Sequence, residues 1–400
     1  MQNFIYQRKT ELVFGKEMLD NLPKELKRNN ATKVLLTYGM NSIKKTGLYD
    51  QVVTLLNENN IPFVELSGIK PNPEVDTCRT GVKLIEENNI DFVLAVGGGS
   101  VIDNSKHMIL AHAVGKDIWD IIKEPTLMKG VPADKFIGIG TILTISATGS
   151  EMNNGGVISN PEVTEKMSTG HPLLTPAFSF LDPTQLQTLP RKQREAGLSD
   201  TMSHLLEMYF TSHQDEGFPD RMVEGLMVNL LNYADDYLED NLDYDANAQV
   251  MLTATYALNG ITGLGKASGD WSTHGIEHDL SARTDITHGI GLALIHPRTL
   301  EVYLKGDLEQ GRPLTKFVNL GREVFKLDDS QADEVIAKET VYLIKYEFSK
   351  WIENKLLPDY GIENYDYQPS IDFVLNNHEV NDIYHTFTKE DLEYIYKEII

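Results

Sequence analysis

Asp200 and His204 stand four residues apart in SDTMSHLLEMYF, and His274, His278 and His288 all fall within WSTHGIEHDLSARTDITHG. If the first segment is helical, the i, i+4 spacing stacks its carboxylate and imidazole on one face, where both donors converge on one ion. Such a pair is half a site; a helix carrying His274 and a loop carrying His288 would complete it. Asp200, His204, His274 and His288 then form a set of three imidazoles and one carboxylate. These donors suit Fe(II) or Zn(II) at roughly 2.0–2.2 Å, with no thiolate to favour a softer ion. A lone histidine on an amphipathic helix is more often packed or solvated than ligating. Three in one short stretch rich in Gly, Ser and Thr are harder to explain as packing.

A second group of residues suits phosphate. In GGGSVIDNSK, Gly97, Gly98 and Gly99 end an apolar run and Ser100 opens a helical one. Backbone N–H groups there can approach a pyrophosphate closely, and the helix dipole favours its charge. Tight strand-to-helix packing also demands glycine, so this turn alone does not decide the matter. In ISATGSEMN, Thr144, Ser146, Thr148 and Ser150 surround Gly149 just after KFIGIGTIL, offering hydroxyls and amides, or forming an ordinary polar loop. Neither segment contains G-x-G-x-x-G, and the first strand ends in TYGMNS without the acidic residue that binds an adenosine ribose 2′-hydroxyl. A standard Rossmann dehydrogenase is disfavoured.

The elements that must hold these residues divide the chain. With 400 residues and 41% hydrophobic content, the chain exceeds the ~250–300 residues at which one core stops growing, so two domains are expected. KVLLTYG at 33–39, PFVELSG at 62–68, DFVLAVGGGS at 91–100 and KFIGIGTIL at 135–143 alternate with charged helical stretches in a βαβ rhythm. The continuous apolar runs imply a parallel sheet buried on both faces. After Pro190 the periodicity is helical throughout. LDPTQLQTLPR, with its two prolines, marks the connection. The expected division is an α/β nucleotide-binding domain over 1–185 and an all-α metal-binding domain over 186–400.

A formal charge of −23 repels nucleic acid and anionic membranes. The acidic residues mostly read as solvated helix faces. Cys78 is the only cysteine, so no intramolecular disulfide framework exists. MQNFIYQRKTELVFG lacks the apolar core of a signal peptide, and no apolar run reaches the ~18–20 residues that span a bilayer. A cytoplasmic protein is expected.

Taken together, GGGSVIDNSK, SATGSEMN, LDPTQLQTLP, SDTMSHLLE and THGIEHDLSARTDITHGIG give a chain that resembles the iron-containing, or group III, alcohol dehydrogenases. It looks closest to their NADPH-dependent aldehyde reductase and butanol dehydrogenase branch. The resemblance implies a Rossmann-like parallel-sheet domain and a helical domain in the dehydroquinate synthase-like arrangement. It implies a metal on Asp200, His204, His274 and His288, with His278 near the nicotinamide and substrate; its offset of four residues from His274 puts it on the same helical face and makes it the best candidate for general acid. Gly98, Gly99 and Ser100 would hold the pyrophosphate, Asn72, Asp103 and Thr144 would lie on the cofactor, and Ser146 and Thr148 would line its cleft. Where an Asp marks NAD preference in this family, the chain has Gly39, followed by Met40, Asn41 and Ser42. Space for a 2′-phosphate, with Lys44 or Lys45 as its partner, implies NADP(H) over NAD(H). The implied substrate is a short- to medium-chain aldehyde or primary alcohol such as butanol, handled by a homodimer. A polyol dehydrogenase and a catalytically silent binder are the alternatives. The chain departs from the family pattern at Glu195, where a small aliphatic residue is usual, and in placing the lysine expected after SATGSE at Lys166.

Overall fold

The computed structural model describes residues 1–239, 243–376 and 383–400. Two compact units form: Gln7–Leu189 with Asp243–Met251, and Met1–Tyr6, Pro190–Leu242 and Leu252–Ile400.

In the first unit the apolar runs become strands β1 (Glu11–Phe14), β2 (Val34–Tyr38), β3 (Phe63–Leu66), β4 (Phe92–Gly97), β5 (Gly138–Leu143) and β8 (Phe178–Leu181). They make one six-stranded sheet in the order β1-β8-β5-β4-β2-β3, every pair parallel. Every residue of β2 and β4 is buried, as the unbroken apolar runs require for central strands covered on both faces. Val34, Leu36 and Tyr38 join Phe92, Leu94 and Val96 in a core closed by Leu48, Val52 and Leu56 of helix α1 (Leu48–Glu58). Helices α2 (Val75–Asn88) and α3 (Gly99–Val114) continue the alternation. The chain leaves β2 toward β3 and returns to the other side of β2 as β4, so strand order reverses between β2 and β4. The carboxyl ends of such a neighbouring pair are where parallel α/β sheets bind ligands.

One element lies outside the βαβ rhythm. β6 (Gly155–Asn160) and β7 (Glu165–Gly170) form a separate antiparallel hairpin. Its backbone lies so close to α3 that a Cβ on Gly156 would sit 3.1 Å from Asp103.

The second unit is helical: α4 (Arg191–Tyr209), α5 (Phe218–Leu238), α6 (Ser272–Thr284), α7 (His288–Gln310), α8 (Thr315–Glu323) and α9 (Asp333–Trp351). From Arg194 to Tyr209 every residue of α4 is buried, including Glu195, Asp200, His204 and Glu207. A helix with no solvent face must satisfy its polar groups internally. His288, expected on a loop, instead opens α7. The reversal at Asp285, with φ 54°, ends α6, and the apolar run after His288 starts the next helix at once. The first turn of α7 rides directly on α4: a Cβ on Gly289 would stand 2.0 Å from the Ala196 carbonyl oxygen. Only glycine permits that approach.

Gly289→Ala should therefore destabilise the protein by ~1–3 kcal/mol or more, because backbone must move. Gly225→Ala on α5, where an added Cβ meets nothing within 4 Å, should be neutral or stabilise by ~0.5–1 kcal/mol through helix propensity. Denaturant melts of both variants check the pair; equal effects would refute the close approach.

Candidate functional site

Helix α4 presents Asp200 and His204 one turn apart, with His204 Nε2 3.6 Å from Asp200 Oδ1. Helix α6 brings His274 Nε2 to 3.7 Å from the same oxygen, and the start of α7 brings His288 Nε2 to 3.7 Å. Three imidazole nitrogens from three helices thus converge on one carboxylate oxygen. Ligand atoms ~2.0–2.2 Å from a tetrahedral centre stand about 3.3–3.6 Å apart; the Asp200–imidazole separations lie at or just beyond the upper end of that range, and the donor atoms of Asp200, His204 and His274 all lie within 4.8 Å of one another. The His204 and His274 rings stack at 4.8 Å, and those of His274 and His288 lie 5.2 Å apart.

The electrostatics agree with a cation between the rings. Asp200 and His274 are 2% and 6% exposed, yet Asp200 Oδ1 and His274 Nε2 find no hydrogen-bond partner among the described residues. Polar atoms buried in this way are costly unless something else satisfies them. Burial pushes His204 down to about 4, against the pull of Asp200, which leaves a neutral ring able to ligate. Burial also opposes ionising Asp200, but His204, His274 and His288 together hold its carboxyl below the ordinary carboxylate range. His274 is held up at about 10: burial works against its charge, and Glu207 and Asp200 outweigh burial. The negative charge that holds a proton on His274 would equally hold a divalent cation in that proton's place. The donor set, with three nitrogens and one oxygen, fits Fe(II) or Zn(II).

His278 lies beside this centre, its ring 6.0 Å from that of His274 and 5.3 Å from that of His288. With Glu277 and His288 it forms a second cluster of donor atoms within 4.8 Å of one another. Trp271, in the left-handed region at φ 59°, sets its ring edge-on to His204 and His274. The turn is held by Asp270, whose backbone N–H donates to the Glu207 carbonyl at 2.9 Å and whose carboxylate accepts from Tyr303 and from the Tyr384 N–H.

The expected cofactor residues occupy the first unit at the reversal of strand order. Gly39, Asn41 and Ser42 follow β2, and Gly98, Gly99 and Ser100 follow β4, whose ends pair as Tyr38 with Val96. The glycine turn is tightly covered: a Cβ would lie 3.0 Å from Ile145 at Gly98 and 2.5 Å from Thr148 at Gly99. Glycine here brings the 144–149 loop onto the start of α3, and the Thr144 N–H donates to the Gly97 carbonyl at 3.0 Å. Ser146 is fully buried. Asp103 accepts from Ser150 Oγ at 2.5 Å and from the Val157 N–H at 3.0 Å. Beside it Lys106 is buried and donates to Ser150 Oγ, Asn153 Oδ1 and the Gly155 carbonyl at 2.7, 2.9 and 2.8 Å. Asn72 accepts from Lys166 Nζ at 3.2 Å. Lys44 Nζ stands over the rings of Tyr38 and Tyr49, at 5.1 and 4.6 Å from their centroids.

Two site residues were not singled out by sequence reasoning. Glu207 pairs with His274 Nδ1, and Glu277 with His288 Nδ1. A signal was present: Glu207 follows His204 by three residues and Glu277 follows His274 by three, each one turn along the ligand face.

Comparison with known proteins accounts for both units. Residues 9–183 match the family model for iron-containing alcohol dehydrogenase, and residues 196–400 match its C-terminal model. NADH-dependent butanol dehydrogenase A of Clostridium acetobutylicum is 41% identical over 341 residues, covering 85% of each chain. The NADPH-dependent aldehyde reductase YqhD of Escherichia coli is 35% identical, covering 84% of this chain and 85% of its own. The crystal structure of NADH-dependent butanol dehydrogenase A from Thermotoga maritima superposes with a TM-score of 0.90 at 32% identity, covering 100% of this chain and 99% of the other. The chain belongs to the iron-containing alcohol dehydrogenase family and is an oxidoreductase.

Proposed function

We propose that the chain interconverts short- to medium-chain aldehydes and primary alcohols, butyraldehyde and butanol among them, with one Fe(II) or Zn(II) and NADP(H). The observation that carries this reading is the convergence of His204, His274 and His288 on Asp200 with His278 alongside. When bound, the ion supplies Lewis-acid polarisation of a carbonyl oxygen and the nicotinamide supplies hydride.

The chain's own residues bind, orient and move a proton. Asp200, His204, His274 and His288 hold the ion. His278, on the face of α6 that carries His274, donates a proton from its ring to the product oxygen during reduction and accepts it during oxidation. Gly98, Gly99 and Ser100 bind the pyrophosphate through backbone N–H groups at the start of α3. Gly39, Asn41 and Ser42 border the adenosine ribose, while Asn72, Asp103, Thr144, Ser146 and Thr148 line the same strand ends. Asp103, with Lys106, acts by holding the 148–157 segment in place.

The preference for NADP(H) rests on Gly39, which leaves space where an acidic side chain would repel a 2′-phosphate, and on Lys44 and Lys45 just after it. NADH use is the second reading. It is favoured by Lys44, whose charge already faces two tyrosine rings, and by the C. acetobutylicum and T. maritima relatives, which are named NADH-dependent. A kcat/KM for NADPH above that for NADH, narrowed by Lys45→Ala, is expected; equal values would refute the preference.

Oxidation of NADPH by the purified protein with butyraldehyde should cease on chelation and return with Fe(II) or Zn(II). Failure of every ion to restore turnover would contradict the proposal. His278→Ala should keep its metal and lose on the order of 10²-fold in kcat, the usual scale of general acid catalysis. His204→Ala should lose metal and activity together. Elemental analysis beside steady-state rates separates these outcomes; a metal-replete, inactive His204→Ala protein would break the ligand assignment.

A further inference from the structure

Besides Asp200, two buried carboxylates, Glu207 and Glu277, stand against the proposed ligand histidines. Glu207 and Glu277 are 2% and 0% exposed. A buried carboxylate is destabilising unless it is paired. The structure shows what each is paired with. Glu207, on α4, uses one oxygen on His274 Nδ1 and the other on the His274 backbone N–H at 3.1 Å. Glu277, on α6, uses an oxygen on His288 Nδ1. The fold makes room for the second pair: a Cβ on Gly291 of α7 would come within 2.7 Å of Glu277 Oε1.

The pairs form a relay between helices. α4 carries two ligands and braces the ligand of α6; α6 carries one ligand and braces the ligand of α7. A carboxylate that accepts from Nδ1–H fixes the tautomer with Nε2 unprotonated, fixes the ring plane and raises ligand basicity.

We infer that Glu207 and Glu277 are positioning residues for the metal, each orienting a ligand histidine carried by another helix. The inference rests on the ligand set proposed above. It also accounts for the cluster of Glu277, His278 and His288 without a second ion, since Glu277 is engaged on the side of His288 away from Asp200.

Zn2+ affinity tests it, measured by competition with a chromophoric chelator on the stripped and reloaded full-length protein. Wild type should bind one Zn2+ per chain. Glu207→Gln and Glu277→Gln, which keep side-chain volume, should each weaken binding about 10–100-fold, the range seen when such outer partners are removed. A proton spectrum of the Co2+-loaded protein adds a reading that altered packing does not reproduce. Each variant should move one of the strongly shifted exchangeable imidazole N–H signals, a different one in each case. Affinities within about threefold of wild type would overturn the proposal while leaving the ligand set standing. So would weakened binding with both N–H signals unmoved. A wild-type protein that binds no Zn2+ would overturn the ligand set, and the bracing role with it. The two variants sit on different helices, so if one fails to fold the other still decides.

Discussion

The second unit is organised around a single buried carboxylate oxygen that three imidazoles share. Asp200 lies in the middle of a helix with no solvent face, so its charge must be met by groups brought from α6 and α7. This requirement explains features that look unrelated along the chain. Gly289 lets α7 reach α4, and Gly291 lets Glu277 fit against the first turn of α7. A buried charge cluster is weak evidence of stability by itself. Here its value is geometric, because helices fixed by close backbone contact hold ligand atoms more firmly than loops do.

The first unit answers a different constraint, the close packing of loops on the carboxyl ends of a parallel sheet. Parallel strands buried on both faces place their carboxyl ends together, and the reversal between β2 and β4 opens the position where two glycine-containing turns lie side by side. Packing and binding are not competing explanations of Gly98 and Gly99. The missing side chains admit Ile145 and Thr148, and that contact places the hydroxyl-rich loop at the start of α3. Lys106 and Asp103, two buried opposite charges with every polar atom engaged, anchor the hairpin that follows.

Much of this was legible in the sequence, for reasons that differ by element. The central strands announced themselves because a strand covered on both faces must be apolar throughout, and DFVLAV can satisfy little else. Asp200 and His204 were legible because i, i+4 spacing carries a geometric meaning in a helix. His274 and His288 were legible by clustering, but the helical start at His288 was not, since Thr-His-Gly reads as a turn until the close approach to Ala196 is seen. The β6–β7 hairpin was hidden by its glycines and polar residues, which lack strong alternation. That Ser146 and Asp103 are both buried was not legible, because their polar side chains give no sign of it in the sequence. The one-turn spacing from His204 and His274 pointed to Glu207 and Glu277 but not to their partners, which lie 67 and 11 residues away, since spacing along one helix says nothing about contact with another.

The most direct test is anomalous diffraction from crystals of the purified protein at the iron and zinc absorption edges. A single peak within ~2.0–2.3 Å of Asp200 Oδ1 and of the Nε2 atoms of His204, His274 and His288 is the predicted result. A peak elsewhere in the chain, or none at this position after soaking with Fe(II) and Zn(II), would contradict the account.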